Sequence, residues 1–158
     1  MTYFNAQEIL KFAVRIEESG EEFYSQAAAL AESGEAKQIF QYLAGQEREH
    51  KATFESMAAE ANAASAQMSF SGDYQAYLEA YLDNILFPVD TISSRVTALN
   101  DILNVLNFGI KSELDSILFY HESKRMLPAS QHDVIDKIIE EERRHFIKLL
   151  ELKKIHKG

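Results

Sequence analysis

Two stretches of this 158-residue sequence have the composition of metal-binding sites. They are Glu47-Arg48-Glu49-His50 and Glu142-Arg143-Arg144-His145, each a Glu-x-x-His. Residues three apart project from one face of an α-helix, so each stretch can turn a carboxylate and an imidazole toward the same ion. Five histidines and 18 glutamates would produce about 0.6 such pairs by chance, so either copy alone says little. Their surroundings say more. Glu17 precedes Tyr24 by seven residues ahead of the first motif, Glu113 precedes Tyr120 by seven ahead of the second, and each tyrosine follows a phenylalanine, Phe23 or Phe119. Glu17 to Glu47 is 30 residues and Glu113 to Glu142 is 29. The chain therefore reads as a duplicated helical hairpin whose two copies share one di-metal site.

The elements that must position these groups are helical, because the apolar residues recur with helical period and only two prolines and six glycines interrupt them. A first helix is expected from the N-cap Asn5 to about Ser33-Gly34, where the glycine offers a stop, with Leu10, Ala13, Glu17, Gly20, Tyr24, Ala27 and Ala31 facing inward. A second, roughly Glu35 to Ala63, carries Ile39, Leu43, Glu47, His50, Phe54 and Met57 along one side. Residues 64–97 form a weaker pattern, with loop-like Ser69-Phe70-Ser71-Gly72, a short helix over Asp73–Leu86 and a break at Pro88. So long a connection suggests a crossover along the bundle that leaves the third helix parallel to the second.

That third helix, about Ala98 to Met126, presents Leu103, Leu106, Ile110, Glu113, Ser116, Ile117 and Tyr120 inward and is closed by Pro128. Ser130-Gln131-His132-Asp133 reads as a capping box opening a fourth helix to about His156, with Ile135, Ile138, Ile139, Glu142, His145 and Leu149 inside. Each of the four glutamates lies about 12–15 residues into its helix, or roughly 18–23 Å, which is mid-height whichever way the helix runs. The fold expected is an all-α four-helix bundle: a single domain over 1–158, with hairpins at 5–63 and 98–156 and a crossover at 64–97.

A buried cluster of four carboxylates repels itself, and two divalent cations would neutralise it. Ligands of this kind without sulfur suit iron or manganese, with zinc also open. The absence of cysteine excludes disulfides, thiolate metal sites and iron–sulfur clusters. A formal charge of −9 argues against nucleic-acid partners. The opening residues form neither a basic leader nor an apolar run, and nowhere are 18 apolar residues consecutive, so a cytoplasmic protein that does not enter a membrane is expected. A homo-oligomer, in particular a dimer, is expected. Glu21, one turn from Glu17, stays open as an alternative ligand. Glu140-Glu141-Glu142-Arg143-Arg144 is read as an exposed run in which only Glu142 has the inner phase, and His121, His132 and His156 as solvated.

One glutamate from each of two helices with a Glu-x-x-His from each of the other two is the di-iron pattern of ferritin-like bundles. Through Glu17…Tyr24, Glu47-x-x-His50, Glu113…Tyr120 and Glu142-x-x-His145, over nearly its whole length, the sequence resembles the rubrerythrin branch of that family. The resemblance implies two iron ions held by Glu17, Glu47, His50, Glu113, Glu142 and His145, with Glu47 and Glu142 bridging. It makes Tyr24 and Tyr120 the candidate catalytic residues, donating hydrogen bonds to ligating carboxylates; a plain core role is the alternative for a buried tyrosine. It implies an oxidoreductase that reduces peroxide or oxidises iron. An iron-binding ferroxidase protein and a non-catalytic helical module with a structural metal are the alternatives. Two features depart from the family pattern. Ser116 stands where an additional glutamate is usual, with Gly20 as its counterpart in the first repeat, and these small residues are expected to leave room for oxygen, peroxide or water. The four-cysteine rubredoxin module is also missing, so electrons are expected from a separate donor such as a rubredoxin-like protein.

Overall fold

A computed structural model describes residues 5–61, 72–86 and 88–157. Its helices are α1 (Ala6–Leu30), α2 (Gly34–Glu60), α3 (Gly72–Ile85), α4 (Val89–Ala98), α5 (Ile102–Ser123) and α6 (His132–Lys157), with 3-10 turns at Lys124–Met126 and Ala129–Gln131. No strand occurs among the described residues.

Local chemistry sets most boundaries. Asn5 caps α1 in a full capping box: its Oδ1 accepts from Glu8 N at 2.9 Å, and Glu8 Oε2 accepts from Asn5 N at 2.9 Å. The first turn of helix thereby satisfies donors that would otherwise be orphaned. At the other end of α1, Gly34 is not the stop that the sequence suggests. The helix ends at Leu30, Ser33 caps α2 with its Oγ accepting from Ala36 N, and Gly34 opens that helix. Residues 62 and 63, the expected end of the second helix, and the loop residues 69–71 lie outside the described residues, whereas Gly72 already belongs to α3.

The crossover holds two helices where one is expected. The break falls before Pro88 as expected, since α3 ends at Ile85, but Pro88 is also the N-cap of α4, whose Ile92 and Val96 are buried. The next helix accordingly begins at Ile102 instead of Ala98. Asn100 takes φ 61, the left-handed conformation that asparagine tolerates, and Asp101 caps α5 by accepting from Asn104 N at 2.9 Å. Ser130 likewise does not cap the last helix. Pro128 starts a 3-10 turn, Gln131 N donates to Pro128 O at 2.9 Å, and the chain runs directly into α6.

α1 packs along α2 and α5 along α6, and the hairpins meet through α1–α5 and α2–α6. Tyr24, late in α1, reaches Glu113 near the middle of α5, while Tyr120, late in α5, reaches Glu17 near the middle of α1. α5 therefore runs antiparallel to α1 and parallel to α2, as the long crossover predicts. Two apolar clusters fill the bundle. One, around Ile9, Leu10, Phe54, Phe119, Ile135 and Ile139, is completed by Leu78 and Leu82 of α3. The other, around Phe23, Phe40, Leu43, Leu106, Leu149 and Leu152, is completed by Ile92 and Val96 of α4.

Leu43 is fully buried in the second cluster. Leu43→Ala should lower the unfolding free energy of the metal-free protein by about 2–5 kcal/mol, through lost transfer energy and the cavity left behind. The exposed Ile155, changed to alanine, should cost less than about 0.5 kcal/mol. Urea titrations of both variants check this, and equal midpoints would show the inner face to be misassigned.

Candidate metal centre

Between the two apolar clusters, Glu17, Glu47, His50, Glu113, Glu142 and His145 are all buried. Each comes from the middle of a long helix, where the backbone is held by its own hydrogen bonds and the side-chain direction follows from helical phase. Their ligand atoms form two overlapping groups, each within 4.8 Å throughout: Glu17, Glu47, His50 and Glu142, and Glu47, Glu113, Glu142 and His145. Glu47 and Glu142 belong to both.

The imidazoles face the carboxylates through Nδ1. His50 Nδ1 lies 3.0 Å from Glu142 Oε1, 3.6 Å from Glu17 Oε2 and 3.9 Å from Glu47 Oε2. His145 Nδ1 lies 3.0 Å from Glu142 Oε2, 3.3 Å from Glu47 Oε1 and 3.8 Å from Glu113 Oε2. Close as they are, Glu17 Oε2, Glu47 Oε1, His50 Nδ1 and Glu142 Oε1 are not aligned as hydrogen-bond partners and are satisfied by no other group. Buried polar atoms seldom stay unpaired. Four of them within the two overlapping groups, with oxygen and nitrogen donors, fit cations as the missing partners.

Each tyrosine reaches across to the other hairpin. Tyr24 O–H donates to Glu113 Oε1 and Tyr120 O–H to Glu17 Oε1. Burial first, and the neighbouring carboxylates second, push both phenols well above their usual range, so they remain protonated donors. Glu21 stands apart from the cluster. It pairs with Arg48 Nε at 2.7 Å and Lys51 Nζ at 2.7 Å, so the phase that the repeat assigns to Glu17 is the one that points inward.

The exposed-run reading of 140–144 needs a correction at Glu141. Although its side chain is 41% exposed, its Oε2 sits 2.8 Å from His50 Nε2, on the ring edge opposite the cluster. A carboxylate behind a ligating histidine orients the ring and raises its basicity. Nothing local marks Glu141, because its partner lies 91 residues away. His145 lacks this support, since its Nε2 is buried without a hydrogen-bond partner. His121 is exposed, as expected. His132 and His156 are half-buried, and their rings meet Leu127 O at 3.1 Å and Leu152 O at 2.9 Å.

Gly20 packs against Glu47. A Cβ there would stand 3.2 Å from Glu47 Cγ and 3.4 Å from Oε2, so a side chain would press on the carboxylate. Ser116 Oγ donates to Ser112 O at 3.0 Å and is occupied on its own helix.

Without metal, protons balance the cluster. Burial, with Glu142 next, pushes Glu113 up to about 8; burial, with Glu142 and Glu17, holds Glu47 well above the carboxylate range. Burial would also raise Glu142, but His145 and His50 outweigh it and hold it low. Burial would lower both histidines, but Glu142 and Glu17 raise His50 to about 12, and Glu113, Glu142 and Glu47 push His145 far above the usual imidazole range.

The sign of the pH dependence follows. For a group raised in the fold, the folded state holds the proton more tightly than the unfolded one, so stability falls as pH rises through that interval. The metal-free protein should therefore lose melting temperature between about 4.5 and about 8, where the unfolded chain ionises Glu113 and the fold resists. Metal must displace those protons, so its binding should release protons and tighten with rising pH. The gain in melting temperature on loading should widen from about pH 5 to about pH 8. Differential scanning fluorimetry of both forms across that range checks it, and a gain independent of pH would refute it.

Comparison with known proteins places this geometry. The family model described as Rubrerythrin matches residues 8–153. A crystal structure of a Thermotoga maritima protein, described as ferritin-like and diiron-carboxylate, superposes with a TM-score of 0.76 at 33% sequence identity, covering 98% of this chain and 97% of that one. No curated protein sequence matches. Among the described residues, no helix is long and apolar enough to cross a membrane. The fold is a ferritin-like helical bundle, and its buried carboxylate–histidine cluster suits a di-metal centre.

Proposed function

The chain belongs to the rubrerythrin family, and from that premise we propose that it is a di-iron oxidoreductase that reduces peroxide with electrons from a separate donor. The observation that carries this reading is the pair of overlapping ligand groups sharing Glu47 and Glu142. That sharing is what a bridged pair of ions requires. Glu17 and His50 would complete one coordination sphere, and Glu113 and His145 the other. When bound, two ferrous ions supply the two electrons that reduction of one peroxide consumes.

The remaining work falls to the protein. Tyr120 and Tyr24 fix Glu17 and Glu113 by holding one oxygen of each, leaving the other oxygen to face the centre. Their phenolic protons stay in place because ionising a buried phenol beside a carboxylate is unfavourable. Glu141 holds the His50 ring so that Nδ1 faces inward. The two apolar clusters keep bulk water away from both ends of the centre. Because the sequence contains no cysteine to relay electrons, re-reduction is assigned to a partner.

Two outcomes test the reading. Anaerobic iron loading should approach two ions per chain. Glu142→Ala removes a ligand from both spheres and should bring this well below one. Glu113→Ala removes a ligand from one sphere and should leave about one ion beside His50. Elemental analysis decides, and equal losses in the two variants would contradict the shared-ligand assignment.

The second outcome is kinetic. Stopped-flow mixing of reduced protein with excess hydrogen peroxide should consume about one equivalent per centre and then stop, resuming only with an added reductant. Sustained consumption without a donor would indicate disproportionation instead, and an inert reduced centre would favour a structural metal.

A further inference from the structure

A cavity of about 210 Å³ opens beside the centre, between α1 and α5, with α4 and the end of α3 across it. Its lining includes the buried Glu47, Glu113 and Tyr24 of the centre and the ion pair of the exposed Lys111 with the half-buried Asp115. The remaining surface is largely apolar, including Phe23, Ile92, Val96, Leu99 and Phe108, with Ser19, Asn84, Arg95 and Ser112 also on the walls. Gly20 and Ser116 lie on its walls. Gly20 leaves the Glu47 carboxylate uncrowded, and Ser116 Oγ is bonded to its own helix and asks nothing of an occupant.

Size and polarity restrict what can enter. A dry cavity of about 150 Å³ lined by aliphatic and aromatic groups accommodates benzene, so by proportion this one accommodates about eight carbon atoms. Hydrogen peroxide, a pair of oxygen atoms, would touch little of that lining. An amphipathic molecule fits both ends at once: apolar surface against α4 and α5, and an oxygen function toward the cluster.

We propose that this cavity seats the apolar body of an organic substrate of about six to nine carbons. Resting on the function proposed above, that substrate is an organic hydroperoxide whose head faces Glu47 and Glu113. Its O–O bond breaks on accepting two electrons, one from each of two ferrous ions, which become ferric. Two protons drawn from solvent complete the products, so the alkyl fragment leaves as an alcohol and the distal oxygen as water. Selectivity for organic over hydrogen peroxide then arises from the apolar walls, among them α4, a helix that supplies none of the cluster.

The test uses reduced, iron-loaded protein mixed separately with cumene hydroperoxide and hydrogen peroxide, as wild type and as Val96→Phe and Ser116→Phe, which fill the cavity from opposite walls. The ratio of the two oxidation rate constants is read, because lost iron or impaired folding lowers both rates together. In parallel, calorimetry follows binding of cumyl alcohol, which cannot oxidise the centre, to the oxidised iron-loaded protein. Wild type should favour cumene hydroperoxide and bind cumyl alcohol. Both variants should lower the ratio by at least about tenfold and abolish alcohol binding. Reaction with hydrogen peroxide accompanied by an unchanged ratio in both variants, or by no alcohol binding to wild type, overturns the inference and leaves the peroxidase reading intact. Silence toward both peroxides, with alcohol binding present in wild type and lost in the variants, overturns the peroxidase reading and supports the cavity as a site for apolar ligands.

Discussion

Like charges repel most strongly where water is scarce, and Glu17, Glu47, Glu113 and Glu142 are all buried at the middle of the bundle. Much of the surrounding structure answers that one constraint. Protons on Glu47 and Glu113, protonated imidazoles at His50 and His145, and phenolic donors at Tyr24 and Tyr120 each offset part of the repulsion without metal. What they leave is a set of oxygen and nitrogen atoms that face one another without bonding. The polar centre is thus held ready for cations by the apolar packing on either side of it.

The same centre joins the two halves of the chain. Each hairpin has its own close helix pair, and besides the two apolar clusters the hairpins are joined by polar contacts at the middle: Tyr24 to Glu113, Tyr120 to Glu17, and His50 to Glu141 and Glu142. An ion bound there would have ligands from both hairpins, so metal binding would add to the docking of the hairpins. Glu141 adds asymmetry to the duplicated plan. It backs His50, whereas the Nε2 of His145 is left without a partner, so the two halves of the centre are chemically unequal.

The crossover is structural as well as connective. α3 contributes Leu78 and Leu82 to one apolar cluster and α4 contributes Ile92 and Val96 to the other, so each half of the core is completed by a helix outside the four-helix frame. α4 also closes the space beside Glu47 and Glu113. A connection that merely spanned the bundle would leave that side of the centre open.

Helical phase is a local property, and what depended on it was legible in the sequence. The inner stripes, the equal depth of the four glutamates and the duplicated spacing all follow from 3.6 residues per turn, so the four-helix plan and the convergence of Glu17, Glu47, His50, Glu113, Glu142 and His145 could be written down beforehand. The same logic chose Glu17 over Glu21, and it is Glu17 that lies buried in the cluster while Glu21 pairs with Arg48 and Lys51. The boundaries at Gly34, Ala98 and Ser130 went astray because several residues there could serve as caps, and Ser33, Asp101 and the turn after Pro128 took those places. α4 was missed because ten residues with two buried apolar positions carry too little period to stand out. Glu141 and the cavity were beyond reach for a different reason. Each is made by groups far apart in the chain, and only the packing of α2 on α6, and of α4 across α1 and α5, brings them together.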